Sequence, residues 1–121
     1  MTIPECKNKT ESCSNSLPLS TPLSLAEHIE YANGAIVSKT LIDKEPGTVT
    51  LFSFAANQGL SEHSAPFDAL VQILDGKAEI RIGGTPHLVS AGEAILMPAN
   101  IPHALRAQPQ FKMLLTMIKA K

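Results

Sequence analysis

The stretch Ala91-Gly92-Glu93-Ala94-Ile95-Leu96-Met97-Pro98-Ala99-Asn100-Ile101-Pro102-His103, read with Gly59-Leu60-Ser61-Glu62-His63 and Asp75-Gly76 upstream, decides the fold of this chain. A glycine opens its apolar run, and Pro98 and Pro102 bracket a loop that ends on a histidine. Working outward, the same construction recurs from residue 35 to residue 119. Short apolar runs fall at 35–43, 48–56, 69–74, 77–82, 87–89, 94–97, 103–107 and 111–119, with no helical period. The breaks between them include Glu45-Pro46-Gly47, Asn57-Gln58-Gly59, Asp75-Gly76, Gly83-Gly84 and Ser90-Ala91-Gly92, which supply proline-set turns or glycines free to take positive φ. The pattern predicts an all-β domain. Alternation is clearest where Ala78, Ile80 and Ile82 interleave with Glu79 and Arg81, one face for a core and the other for water. Residues 111–118 are apolar on both faces, as are 35–37, so these strands need covering twice, by a second subunit or by an N-terminal helix.

The two histidine-bearing segments resemble the signature motifs of the cupin superfamily, G-(x)5-H-x-H-(x)3,4-E-(x)6-G and G-(x)5-P-x-G-(x)2-H-(x)3-N. Against the second motif, Gly92, Pro98 and His103 stand at the expected spacing, Asn100 replaces a glycine and Ala107 replaces the final asparagine. Counting back from Gly76 in the first motif puts His63 at its first histidine, Ala65 at its second and Ala69 at its glutamate. The resemblance covers residues 47–119. It implies a jelly-roll barrel (a double-stranded β-helix) of two antiparallel sheets with a ligand pocket between them. It also implies a divalent metal, Fe, Mn, Zn or Ni, on the motif histidines. That role carries over to His63 and His103 alone, because alanine occupies two of the four usual ligand positions.

A stable site for such an ion usually takes three or four protein ligands. Asp68 is the best third candidate: in a regular strand its one-residue offset from position 69 turns it to the opposite face, whereas in a loop after Pro66-Phe67 it reaches inward, and the sequence leaves both open. Glu62 has the same difficulty beside His63, and His87 follows Thr85-Pro86 at an exposed turn. The expectation is a pocket with a weak or absent metal. If the inward phase of positions 63, 65 and 69 continues, Val71 and Ile73 face the cavity, and Ala65 and Ala69 leave space there. Phe52, Phe54, Met97, Leu105, Phe111 and Met113 are candidates to close it; Ser61 is a polar candidate, and Gln72 lies on the outward phase. The predicted function is binding of a small molecule around the two histidines. The alternative is a divalent-metal-dependent enzyme, dioxygenase- or isomerase-like, using His63 and His103. A metal-free acid–base role ranks below both, for want of a carboxylate to orient either imidazole. Neither a glycine-rich phosphate loop nor a nucleophile elbow is present.

At 121 residues the chain suits one domain. Hydrophobic residues make up 44% and charged residues 17%, an apolar excess that favours a second buried surface and hence a homodimer. A net charge of −1 with scattered lysines and arginines gives no footprint for nucleic acid or an anionic membrane. No apolar run reaches the roughly 20 residues of a membrane span, and the start of the chain lacks a secretory pattern, so a cytoplasmic protein is expected. Residues 1–20 are polar and predicted to be a disordered tail, leaving 21–121 as the barrel domain. Cys6 and Cys13 lie in that tail and are expected to be free thiols. Ser24-Leu25-Ala26-Glu27 matches a capping box and predicts a short helix over 24–30, stopped by Gly34.

Overall fold

The computed structural model describes residues 20–120, which form eight strands: β1 (Ile36–Lys44), β2 (Gly47–Phe54), β3 (Gly59–His63), β4 (Phe67–Ile82), β5 (Thr85–Ser90), β6 (Ala94–Met97), β7 (His103–Arg106) and β8 (Phe111–Lys119). All pairings are antiparallel. The first half of β4 lies between β8 and β6 in a sheet ordered β1-β2-β8-β4-β6. Its second half lies between β5 and β7 in a sheet ordered β5-β4-β7-β3. This is the predicted all-β jelly roll. The predicted tail and both cysteines fall outside the described residues, apart from Ser20.

Inward residues of the two sheets meet in one core that includes Val71, Ile73, Ala78, Ile80 and Met113, all nearly or fully buried. The rings of Phe54 and Phe111 stack at 4.5 Å between centroids, an offset-stack distance that adds to their area burial. The outward partners on β4, Glu79 and Arg81, form an ion pair at 3.4 Å on the water face.

Two sequence expectations need correcting. Asp75-Gly76 is read above as a break between two strands, but the chain does not reverse there. β4 runs 16 residues through a register shift between Ile73 and Asp75 and passes from one sheet to the other. Gly76 makes that passage with φ +78°, and a Cβ on it would stand 2.3 Å from the carbonyl oxygen of Gln110.

The predicted helix over 24–30 is the second correction. Residues 24–28 form successive turns closed by Glu27 N–H to Ser24 O and His28 N–H to Leu25 O. A helix this short does not recover its nucleation cost alone, and the sheet supplies other partners for its carbonyls. Lys112 Nζ donates to Ala26 O, Lys39 Nζ to His28 O and Ser53 Oγ to Glu30 O. Ile29 is fully buried, and the Tyr31 hydroxyl donates to Asp75 at 2.5 Å with Lys112 over its ring. Burial, the hydrogen bond to Asp75 and that carboxylate's charge all hold the Tyr31 hydroxyl far above its ordinary pKa.

The turn segment therefore covers part of the outer face of the first sheet, where Leu51 and Ser53 are fully buried. Beyond it, the register aligns Ile42, Val49, Thr116, Leu70 and Leu96 in one row across all five strands of that face. Ile42, Leu70 and Leu96 are exposed, as is the neighbouring Ile118. Among the described residues no helix is long and apolar enough to cross a membrane.

Candidate functional site

The two histidines come together at the mouth between the sheets. His63 ends β3 and His103 begins β7; they pair directly in the ladder, and Ile82 of β4 continues the row. Their rings meet edge to face with centroids 4.4 Å apart. His63 Nδ1 lies 2.8 Å from Ser61 O, and His103 Nδ1 lies 3.3 Å from Ile101 O. A carbonyl only accepts, so Nδ1–H is the donor in both contacts, and in the neutral form of such a ring Nε2 is the acceptor. His103 is 92% buried by area, being 8% exposed, whereas His63 is open to solvent. Burial pushes the His103 pKa below its ordinary 6.5, against the opposing hydrogen bond to Ile101 and with help from neighbouring His63.

The loop before His103 is held on several sides. Asn100 N–H donates to Ala65 O, Ala99 N–H donates to Asp68 Oδ1, and Gly83 N–H donates to Pro102 O. Asn100 has φ +66° where the second motif has glycine. Asn57, six residues before His63 and at the opening glycine of the first motif, has φ +70°. Asparagine tolerates this left-handed conformation better than other non-glycine residues, so both substitutions preserve the turns.

Behind the histidines lies a cavity of about 70 Å³. Ala65 and Ala69 line it as the motif spacing predicts, and so do Met97, Leu105 and Met113. Phe54 and Phe111 are spent on the core stack, and neither they nor Phe52, Val71 and Ile73 line the cavity. Sequence reasoning missed Leu60, Phe67, Leu115 and Met117, which complete the wall. For Phe67, Leu115 and Met117 the signal was the same period of two: 67 precedes inward 69, and 115 and 117 follow inward 113; Leu60 lies across a register shift from His63 and carried no such signal. Ser61 instead lines an open depression on the outer face of the second sheet, beside Glu79, Arg81 and Arg106.

Asp68 is on the outward phase, opposite Ile118, and its carboxylate caps the Ala99 amide rather than joining the histidines. Among the described residues no group of three or more His, Cys, Asp and Glu side chains is placed to share an ion. The donor set therefore does not fit a divalent ion held by the protein alone. Two imidazoles face a cavity whose other walls carry no negative charge, and the positions that would add a nitrogen and a carboxylate end in methyl groups.

A cupin domain family model matches residues 50–118, more than half the chain. A conserved Streptococcus pyogenes protein of unknown function is 37% identical, with a TM-score of 0.83 over 87% of this chain and 92% of that one. A cupin 2 conserved barrel domain protein from Leptotrichia buccalis is 45% identical, with a TM-score of 0.76 over 78% of this chain and 46% of that longer one. A cupin superfamily protein from Desulfitobacterium hafniense is 30% identical, with a TM-score of 0.80 over 87% of this chain and 95% of that one. No curated protein matches. The chain belongs to the cupin family.

Proposed function

We propose that this cupin is a binding protein that takes a small ligand between its sheets on the paired Nε2 atoms of His63 and His103. The observation that carries the reading is the contact of each Nδ1 with a backbone carbonyl. In the neutral rings this leaves two Nε2 acceptors side by side at the mouth of an otherwise apolar cavity. Such a pair receives a hydroxyl or amide N–H from a ligand whose apolar part enters the cavity. Size limits the choice. About 70 Å³ is far below the roughly 300–1,000 Å³ of sites for drug-sized ligands, so the enclosed part has only a few heavy atoms.

The reading of a divalent-metal enzyme on the same histidines lacks support from the donor set, and no catalytic step is assigned. Two copies pairing through the outer face of the first sheet form part of the proposal, supported by the exposed row through Ile42, Leu70 and Leu96. The test of the pocket is titration with short-chain alcohols and primary amides, followed by imidazole ¹⁵N shifts and melting temperature. The expected result is a saturable shift of both Nε2 signals with a rise in melting temperature, absent in His103→Ala. No saturable response to any probe contradicts the reading.

A further inference from the structure

Two of the chain's ten lysines and arginines are arginine, and both, Arg81 and Arg106, line one open depression of about 510 Å³ on the outer face of the second sheet. No lysine among the described residues lines it. The register explains the meeting. Arg106 of β7 pairs with Glu79 of β4 and with Gly59 of β3, and Arg81 of β4 pairs with Ala104 of β7. Arg81 stands two residues beyond Glu79 and so on the same face, where its Nε pairs with Glu79 Oε2 at 3.4 Å. Arg106 has no ion-pair partner among the described residues. Gly59 and Ala104 also line the depression and carry at most a methyl group, which keeps it open.

The rim adds neutral donors. Asn57 N–H is spent on Ala107 O and Gln58 N–H on Ala55 O, while Ala107 N–H returns to Gln58 O. These bonds fix the 57–58 turn against β7 and leave both side-chain amides as donors, with the Ser61 hydroxyl in the same wall.

We propose that this depression is a binding site for a small organic monocarboxylate, forked by the Arg106 guanidinium with Arg81 and the 57–58 amides as further donors. The site goes beyond the reading of the cavity between the sheets and does not depend on it. Leu60 of β3 and Leu105 of β7 line both spaces and form the wall between them.

Donor type and charge decide the ligand. A guanidinium presents a planar fork that matches a carboxylate through two parallel N–H···O bonds, which an ammonium cannot do. Two guanidinium charges against the one carboxylate of Glu79 leave a surplus of one positive charge in the depression, the complement of one carboxylate. Lys77, next along the same face, lines a separate depression on the other side of Glu79. A phosphate monoester carries about −1.5 to −2 near pH 7 and brings a second charge that Glu79 repels. Room is not limiting as it is behind the histidines, because about 510 Å³ lies within the roughly 300–1,000 Å³ of small-molecule sites. Both arginines are exposed, so the binding is weak and salt-dependent.

The test titrates full-length protein with sodium butyrate and with butyl phosphate at constant ionic strength, read by the Nε–H signals of the two arginines and the Gln58 side-chain amide. Butyrate is expected to shift all three saturably, with a Kd on the order of millimolar, and to bind more tightly than butyl phosphate. Arg106→Lys, which keeps the charge and loses the fork, is expected to weaken butyrate at least about threefold, read at Arg81. Arg106→Gln is expected to weaken it at least about tenfold. Glu79→Gln, which removes the repelling carboxylate, is expected to raise the affinity for butyl phosphate by a larger factor than that for butyrate. Shifts that stay linear in butyrate, or equal affinity in wild type and Arg106→Gln, overturn the inference and leave the arginines as a solvated face. Butyrate shifts confined to the histidine Nε2 signals place the carboxylate between the sheets and overturn it too. Tighter binding of butyl phosphate to wild type overturns the choice of a monocarboxylate. If a variant fails to fold, the wild-type titrations decide.

Discussion

His103 is the residue at which burial and chemistry are most closely joined. Its ring is nearly covered, its Nδ1–H is held by Ile101 O, and its pKa lies below 6.5 chiefly because burial disfavours the imidazolium. The sign of the pH effect follows. Above about pH 6.5 the ring is neutral in folded and unfolded chains alike, and its contribution to stability is intact. As pH falls below 6.5 the unfolded chain takes up the proton first, so stability is lost until the lower folded pKa is passed. Wild-type protein is therefore predicted to lose melting temperature more steeply than His103→Gln between about pH 6.5 and pH 5; parallel curves would contradict this. At this scale the sequence carried much of the site, because motif spacing alone placed His63, His103, Ala65 and Ala69 on one inward face. It did not carry the Nδ1 contacts, which depend on where the Ser61 and Ile101 carbonyls turn. Asn57 was also hidden, since its role is a backbone angle rather than a side-chain contact.

Among the elements, β4 organises the molecule by serving both sheets. The crossing depends on a residue without a Cβ at position 76, where φ is +78° and the Gln110 carbonyl oxygen would lie 2.3 Å from an added Cβ. Gly76→Ala is predicted to cost at least about 2 kcal/mol in urea unfolding, and a loss below 0.5 kcal/mol, the size of an ordinary surface change, would contradict that account. The period-two pattern made most strands legible, and β8 and β6 were read with the bounds they have. β3 escaped because Gly59-Leu60-Ser61-Glu62-His63 carries one large apolar residue, and its pairing comes from β7 rather than from its own composition. The helix over 24–30 failed for the converse reason. Its capping signal is local, whereas the carbonyls it would have used are taken by Lys39, Ser53 and Lys112 from distant strands.

For the whole molecule, the two-sided apolar strands are covered in part by N-terminal turns where the sequence predicts a helix, and a second subunit remains a proposal. The N-terminal turns cover Leu51 and Ser53, and the row through Ile42, Leu70 and Leu96 remains for the proposed second copy. Leu70→Glu/Leu96→Glu is predicted to weaken self-association at least about 100-fold while keeping the melting profile of a folded monomer, because both side chains are already exposed. Light scattering that finds wild-type monomer at micromolar concentration would remove the dimer. A cupin cavity whose divalent ligand set is cut to two histidines should hold no divalent ion of its own, which elemental analysis decides on three untagged proteins purified without chelator: wild type, His103→Ala and Ala65→His/Ala69→Glu. The prediction is trace Fe, Mn, Zn and Ni in the first two and close to one equivalent in the third, where the missing nitrogen and carboxylate are restored. Near-stoichiometric divalent metal in wild type, lost in His103→Ala, would contradict it.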